Sequence, residues 1–463
     1  MLRTLVFIAT SLVCLFFNFS WAVDADTHTF QLDNGLKVVI REDHRAPIVA
    51  SQIWYRVGSK DEHLGVTGLS HALEHMMFQG TPNLPGTQIL TRIAQLGGKI
   101  NAFTSYDFTA YHEVVAKEHL ETVLGYEAER MRHLTIDPAL FAKELQVVIE
   151  ERRMRVEDNP NGLAEERFLV QALAASPYSQ PVIGWMTDLE NMTSTDLRHW
   201  YEQWYAPNFA TLVLVGDVDP AQAQELVKRL FGQIPTSEKV TQKPIPELPS
   251  IAETRLNITV PNLRLPSVTV GYRVPSATSA GQAGEDAYAL ALLATILQEG
   301  QSSLLVKKLV RDNPVAVSVG ADYSLYSQYP FLFMLSAVPN QTTSLDILET
   351  KLLAEIDLIQ QQGVPEHALQ TAKNQLIAHT VFSKDSMSQQ ANTIGMLESI
   401  GLGWQAEEAF VNKIKAITST QVQQAAVHYL SANNRIVAHY LPAVASAEID
   451  TKKTEPAYGE ASL

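Results

Sequence analysis

Cysteine is almost absent from this 463-residue chain, and the single one, Cys14, sits in an apolar N-terminal stretch. One cysteine closes no internal disulfide, and everything after it lacks a thiolate metal ligand or a thiol nucleophile. Cations are also in deficit. Lys and Arg total 35 against 50 Asp and Glu, for a formal charge of −15. Phosphate binding wants a basic face, so this balance argues against nucleic acid as a partner. The apolar stretch itself, residues 5–17, is shorter than the roughly 20 residues that span a bilayer. It is preceded by Arg3 and followed by Ser20-Trp21-Ala22, a small–x–small pattern. That order predicts a cleaved secretory signal over residues 1–22, a periplasmic or secreted mature protein, and no lasting membrane anchor. Cleavage removes Cys14 and one cation, Arg3.

The full chain has ordinary globular composition, 46% hydrophobic and 18% charged. Its length suits two domains of about 200 residues. A faint duplication supports two. Thr193-Ser194-Thr195 precedes a helical stretch ending at Trp204-Tyr205 and an apolar run at 211–215. The same order returns 225 residues later with Thr418-Ser419-Thr420, His428-Tyr429 and a run at 436–440. Tyr55-Arg56-Val57 is echoed by Tyr272-Arg273-Val274. Between the halves, Pro235, Pro244, Pro246 and Pro249 stiffen a polar segment that no helix or central strand would tolerate. The predicted division is therefore 23–236, a linker at 237–253, a homologous domain at 254–445 and a disordered tail at 446–463. Strands at 35–41, 48–57 and 211–215, with helices from His71 and over 140–156, predict an α+β fold. Each domain would be a mostly antiparallel sheet with helices packed on one face.

The chemistry concentrates at His71-Ala72-Leu73-Glu74-His75. In a helix His71 and His75 lie one turn apart on one face, so both imidazoles reach a single ion. Glu74 lies on the same side, beside the metal, where a carboxylate can take a proton from water whose pKa zinc lowers towards about 7. The order His-x-x-Glu-His is the inverzincin signature. Gly68-Leu69-Ser70 predicts the helix start, with Ser70 as its cap. A catalytic zinc needs a third protein ligand, and the helical stretch at 140–156 holds Glu144, Glu150 and Glu151. Lys143, Gln146, Glu150, Arg153 and Glu157 form a solvent-facing polar stripe. Glu151 falls instead with Glu144, Val147, Val148, Met154 and Arg155. A carboxylate among valines must be paired or metal-bound, so Glu151 outranks Glu150. Glu144, two turns earlier, is placed to accept a hydrogen bond from a ligand histidine.

With Leu96-Gly97-Gly98-Lys99-Ile100-Asn101-Ala102-Phe103-Thr104 and Glu144…Glu150-Glu151-Arg152-Arg153-Met154, the chain resembles the pitrilysin/insulinase family of zinc metallopeptidases over nearly its whole mature length. The resemblance implies the fold of mitochondrial processing peptidase and one zinc per chain. It implies His71, His75 and Glu151 as ligands, Glu74 as general base and Glu144 as the supporting acid. It further implies that Asn101, Ala102, Phe103 and Thr104 lie on an edge strand that an extended peptide substrate joins by backbone pairing.

One departure matters. Active members of that family carry an Arg and a Tyr, seven positions apart, in the second half, facing the substrate across the cleft. The matching segment here, residues 309–319, has Val310 and Val317. Tyr323 is six strand residues too far, about 20 Å. The second half also lacks a His-x-x-Glu-His, and its corresponding stretch, 285–298, is all packing residues. The resemblance thus implies the zinc subunit of a split pair, working with a homologous partner, or else a homodimer. A non-catalytic assembly or binding subunit on the same fold is the alternative, and the complete His71/Glu74/His75/Glu151 set argues against it.

Overall fold

The computed structural model describes residues 27–238, 252–300 and 303–443. The expected signal segment, the tail and residues 239–251 of the expected linker lie outside them. The described residues build two sheets. The first contains β1 (Thr27–Gln31), β2 (Lys37–Glu42), β3 (Ile48–Tyr55), β4 (Lys99–Thr104), β5 (Thr109–Ala116) and β6 (Ala210–Gly216), in the order β1-β2-β6-β3-β5-β4. The second contains β7 (Thr254–Val260), β8 (Ser267–Val274), β9 (Ala316–Tyr323), β10 (Phe331–Pro339) and β11 (Arg435–Pro442), in the order β7-β11-β8-β10-β9. Each sheet has one parallel pair, β2 with β6 and β7 with β11, and is otherwise antiparallel.

The duplication seen in the sequence has a physical counterpart. Thr193 and Thr418 each cap a helix, Ser194–Trp204 and Ser419–Tyr429, through a reciprocal box with Asp196 and Gln421. Each helix leads into the central strand that closes its sheet, β6 or β11. Tyr55 is the last residue of β3, and Tyr272 lies two residues before the end of the equivalent strand β8.

Helices on one face of each sheet is only part of the arrangement. Alternation along β2, β3 and β6 sends Val38, Ile40, Ile53, Tyr55, Leu212 and Leu214 to a core shared with helices of the same half. The intervening Val39, Ala50, Trp54, Val213 and Val215 meet Met387, Ala391 and Ile394, from a helix of the other half, Met387–Ser399. The second sheet is treated reciprocally. Its back face, with Leu332, Ile436, Ala438 and Tyr440, is covered by Ala164, Phe168 and Ala172 of helix Pro160–Ala172. Both lent helices have 13 residues. Coverage of both faces explains why every residue of β6 is buried, a run that an open sheet face would interrupt with polar residues.

The two lent helices meet their sheets by complementary size. Trp54 on β3 fills the space left by Gly395, where a Cβ would overlap the indole ring. The β8 residue at Trp54's equivalent position, Gly271, instead admits Phe168, whose Cζ lies 2.8 Å from where a Cβ would stand. Large and small residues have changed places between halves at corresponding positions. Ion pairs reinforce the first contact: Arg41 with Glu407 at 2.8 Å, both side chains buried, and Lys37 with Glu398 at 2.5 Å.

Candidate metal centre

The helix that carries both histidines, Leu69–Met76, buries Leu69, Ala72, Leu73 and Met76 against the first sheet. Its start differs from the sequence expectation. Ser70 is inside the helix and caps nothing. The entry residue is Gly68 at φ 88°, where a side chain would also run into the Ile183 carbonyl at 2.7 Å. The free backbone donors go to a residue that sequence reading passed over. The Glu62 carboxylate accepts from Gly68 N at 2.6 Å and from Ser70 N at 2.7 Å. Burial pushes the Glu62 carboxyl up to about 7, against the pull of these two donors.

The second helix, Pro138–Arg152, begins at Asp137, whose side chain accepts from Ala139 N and Leu140 N, with Pro138 in the first turn. It runs on into a wider helical turn over Arg153–Glu157. Lys143, Gln146, Glu150, Arg153 and Glu157 are all exposed, as the polar stripe predicts. The other stripe is less apolar in its surroundings than expected. Val147 is 50% and Met154 67% exposed, and Arg155 is exposed too. Glu151 is therefore not set in a valine core; it stands on an open face turned to the histidines. Its side chain is 17% exposed, against 60% for Glu150, which pairs with Arg153. Anchorage comes from the next residue. Buried Arg152 donates to both oxygens of Glu166, at 2.9 and 3.0 Å, and to the Gly184 carbonyl at 2.6 Å.

The two helices bring three ligand atoms together. Glu151 Oε2 lies 3.3 Å from His75 Nε2 and 3.7 Å from His71 Nε2, and one donor atom from each residue falls within 4.8 Å of the others. Two imidazoles and one carboxylate are a donor set suited to zinc, leaving room for a fourth position. His71 is buried, and burial, with His75 and Arg155 nearby, holds its imidazole down at about 3, so it is neutral and ready to ligate at neutral pH. Glu144 Oε2 lies 3.6 Å from His75 Nδ1, the far side of that ring. Arg155 adds a salt bridge to the other Glu151 oxygen at 2.7 Å, a partner not foreseen from sequence. Glu74, between the histidines, turns its Oε2 to the Thr104 hydroxyl at 2.5 Å. Burial holds the Glu74 carboxyl above its ordinary value, and the Thr104 hydrogen bond opposes that shift.

Thr104 belongs to β4, which among the described residues has a strand neighbour, β5, on one side only. Asn101, Ala102, Phe103 and Thr104 thus lie on a sheet edge beside Glu74. Asn101 Oδ1 accepts from Ala102 N at 2.9 Å, and Phe103 packs edge-on to Trp54.

Among the described residues, the second half brings none to this cluster. Helix Gln282–Gln298 is mostly buried aliphatic packing. Val310 is half-buried, Val317 is 57% exposed on β9 at the other sheet's edge, and the Tyr323 hydroxyl donates to the Pro275 carbonyl at 2.6 Å. A second acid–histidine group, Asp346, Glu349 and His439, converges as closely. There Arg255 already holds Glu349, and His439 Nε2 lies 2.8 Å from it. That group reads as an ion-pair network at the edge of the second sheet.

Comparison with known proteins places the chain in a family. Residues 37–185 match the model described as insulinase, peptidase family M16, and residues 191–376 match the peptidase M16 inactive domain. The chain is 30% identical over 397 residues to the zinc protease PqqE of Helicobacter pylori, covering 85% of each. Among solved structures, a protease from Helicobacter pylori superposes with a TM-score of 0.83 at 26% identity, over 90% of this chain and all of that one. The first half of the periplasmic protease PqqL from Escherichia coli shares the fold, with a TM-score of 0.75 at 20% identity over 90% of this chain and 92% of that one. Among the described residues, no helix is long and apolar enough to cross a membrane. With both family models matched in order along one chain, and a curated zinc protease similar over most of its length, this protein belongs to the M16, or pitrilysin/insulinase, family of peptidases.

Proposed function

We propose that this chain is the zinc-bearing subunit of a metalloendopeptidase that hydrolyses peptides or unfolded polypeptides. The observation that carries the reading is the convergence of His71, His75 and Glu151 on one point with Glu74 beside them. In this reading the three ligands hold one zinc per chain. When bound, zinc supplies Lewis acidity to the scissile carbonyl and to the attacking water. Glu74 takes a proton from that water and delivers it to the leaving amine. Glu144 keeps the His75 ring oriented from its Nδ1 side. An extended substrate joins β4 along Asn101–Thr104, pairing with backbone groups on the side where the described residues place no strand. The Asn101 side chain, now bonded to Ala102 N, must yield that donor as the peptide docks.

The chain offers no Arg/Tyr pair at Val310 and Val317 to grip the substrate and its oxyanion from the facing side. Losing one such donor typically removes about 3–4 kcal/mol of transition-state stabilisation. We infer that a homologous subunit carrying both completes the cleft. PqqL of Escherichia coli is a periplasmic protease, and that setting fits the N-terminal signal read from this sequence.

The test is elemental analysis of the purified mature chain, then peptide cleavage by the chain alone and with candidate partners. About one zinc per chain is expected, with weak cleavage alone and strong cleavage with a partner that has the Arg/Tyr pair. Glu74→Gln should keep zinc and lower kcat by about 10² to 10⁴. Absence of bound divalent metal would refute the centre, and full-strength cleavage by the chain alone would refute the partner requirement.

A further inference from the structure

Thr104 stands on β4, the edge strand of the first sheet among the described residues, yet its side chain does not face the edge. Its hydroxyl donates to Glu74 Oε2 at 2.5 Å. The alternation of β4 puts Ile100, Ala102 and Thr104 on the side of the histidine helix, while Phe103 turns to Trp54 on the opposite face. From this geometry we propose that Thr104 is a positioning residue for the reaction: its hydroxyl fixes the Glu74 carboxylate in the orientation that takes the proton from water. The inference rests on Glu74 being the general base.

Two features make Thr104 suited to this. A β-branched side chain has few χ1 choices, so the hydroxyl is held by its own backbone. That backbone is clamped just beyond it. Ser105 O accepts from Ser59 N at 3.2 Å, and Tyr106 O accepts from Lys60 N at 3.1 Å. Gly58 lies so close beneath both carbonyls that a Cβ there would collide with them. Asp107 is then tied to the Tyr178 hydroxyl at 2.7 and 2.8 Å and to Gln328 N, in the other half, at 3.2 Å. A rigid turn thus delivers a stiff donor to a carboxylate whose aim sets the rate. The arrangement also ties substrate docking to the base, because the strand that receives the peptide is the strand that aims Glu74.

The bland alternative is that the hydroxyl merely satisfies a half-buried carboxylate, with no bearing on turnover. Three full-length variants separate the two: Thr104→Val, Thr104→Ser and Glu74→Gln, each measured for zinc content, kcat and KM with the partner that supports the wild type. Thr104→Val keeps the shape and the branching and removes the donor. It should retain zinc and KM while kcat falls about 10- to 100-fold, the scale of a misaimed catalytic group. Thr104→Ser, which keeps the donor, should recover most of that loss. Unchanged kcat in Thr104→Val would overturn the proposal, as would a loss of zinc or of fold that Thr104→Ser does not repair. Failure of the underlying reading looks different: Glu74→Gln would then turn over like the wild type.

Discussion

Glu62 is predicted to be as important to the metal as residues that touch it. Its carboxylate accepts from Gly68 N and Ser70 N, at 2.6 and 2.7 Å, at the mouth of an eight-residue helix that holds both histidines. Glu62→Ala leaves two buried N–H groups without an acceptor, at about 1–3 kcal/mol each, so a stability loss of about 2–6 kcal/mol is expected. Water entering the vacated space would move the loss to the lower end of that range. His71 is the third residue of the helix, so fraying of the first turn should also weaken zinc binding. The expected loss is about 10- to 100-fold, as for other groups that orient ligands. Chelator competition and urea unfolding of the purified chain measure the two effects. The titration gives a third handle. In the folded protein the Glu62 carboxyl is raised from 4.5 to about 7, so between these values the folded state holds a proton that the unfolded chain has released. This contribution to stability is fully present below pH 4.5 and is lost as pH rises through about 7. Wild type should therefore gain stability relative to Glu62→Gln, which cannot titrate, as pH falls from about 7 towards 4.5. A Glu62→Ala protein with wild-type zinc affinity and stability would refute the reasoning.

Glu151→Gln should weaken zinc retention severely while Glu150→Gln leaves it intact, since Glu150 points to solvent; chelator titration giving the reverse order would defeat the helix-phase argument. Gly395→Ala should destabilise the chain by about 1–3 kcal/mol through overpacking against Trp54, although alanine favours a helix by up to about 1 kcal/mol. Adding Trp54→Phe should recover part of that loss in urea unfolding, and strictly additive effects would show that the two residues do not share the space. Val310→Arg combined with Val317→Tyr should raise peptide cleavage by the chain alone if two copies already close on one another, and an unchanged rate would exclude a productive homodimer.

Much of the centre was legible because helical spacing is short-range. His71, Glu74 and His75 need only one turn to share a face, and the phase of Lys143, Gln146 and Glu150 assigns Glu151 to the other side of its helix. The reason given for Glu151 was nevertheless off, since Val147 and Met154 are exposed; hydrophobic residues beside a cleft look the same in sequence as residues inside a core. Glu62 escaped notice because its partners are backbone amides, which have no letter in a sequence, and because Ser70 offered the customary capping residue two positions too late. The Thr104–Glu74 contact needs strand and helix placed together, and nothing local announces it. The exchange of helices between halves was hidden for a related reason. The unbroken burial of β6 requires cover on both faces, but the sequence does not say which distant helix provides it.

That exchange makes the peptide bond between the halves almost redundant. Each half wears a piece of the other, so a chain nicked between residues 238 and 252 should migrate as one particle under native conditions and separate only in denaturant. The same logic forbids a minimal enzyme. A fragment ending at residue 238 would keep His71, His75 and Glu151, yet expose Val39, Trp54, Val213 and Val215 to water. It would also carry helix Pro160–Ala172 with no sheet to lie on. The smallest unit that keeps this cluster folded is the pair of halves, although His71, His75 and Glu151 all come from one of them.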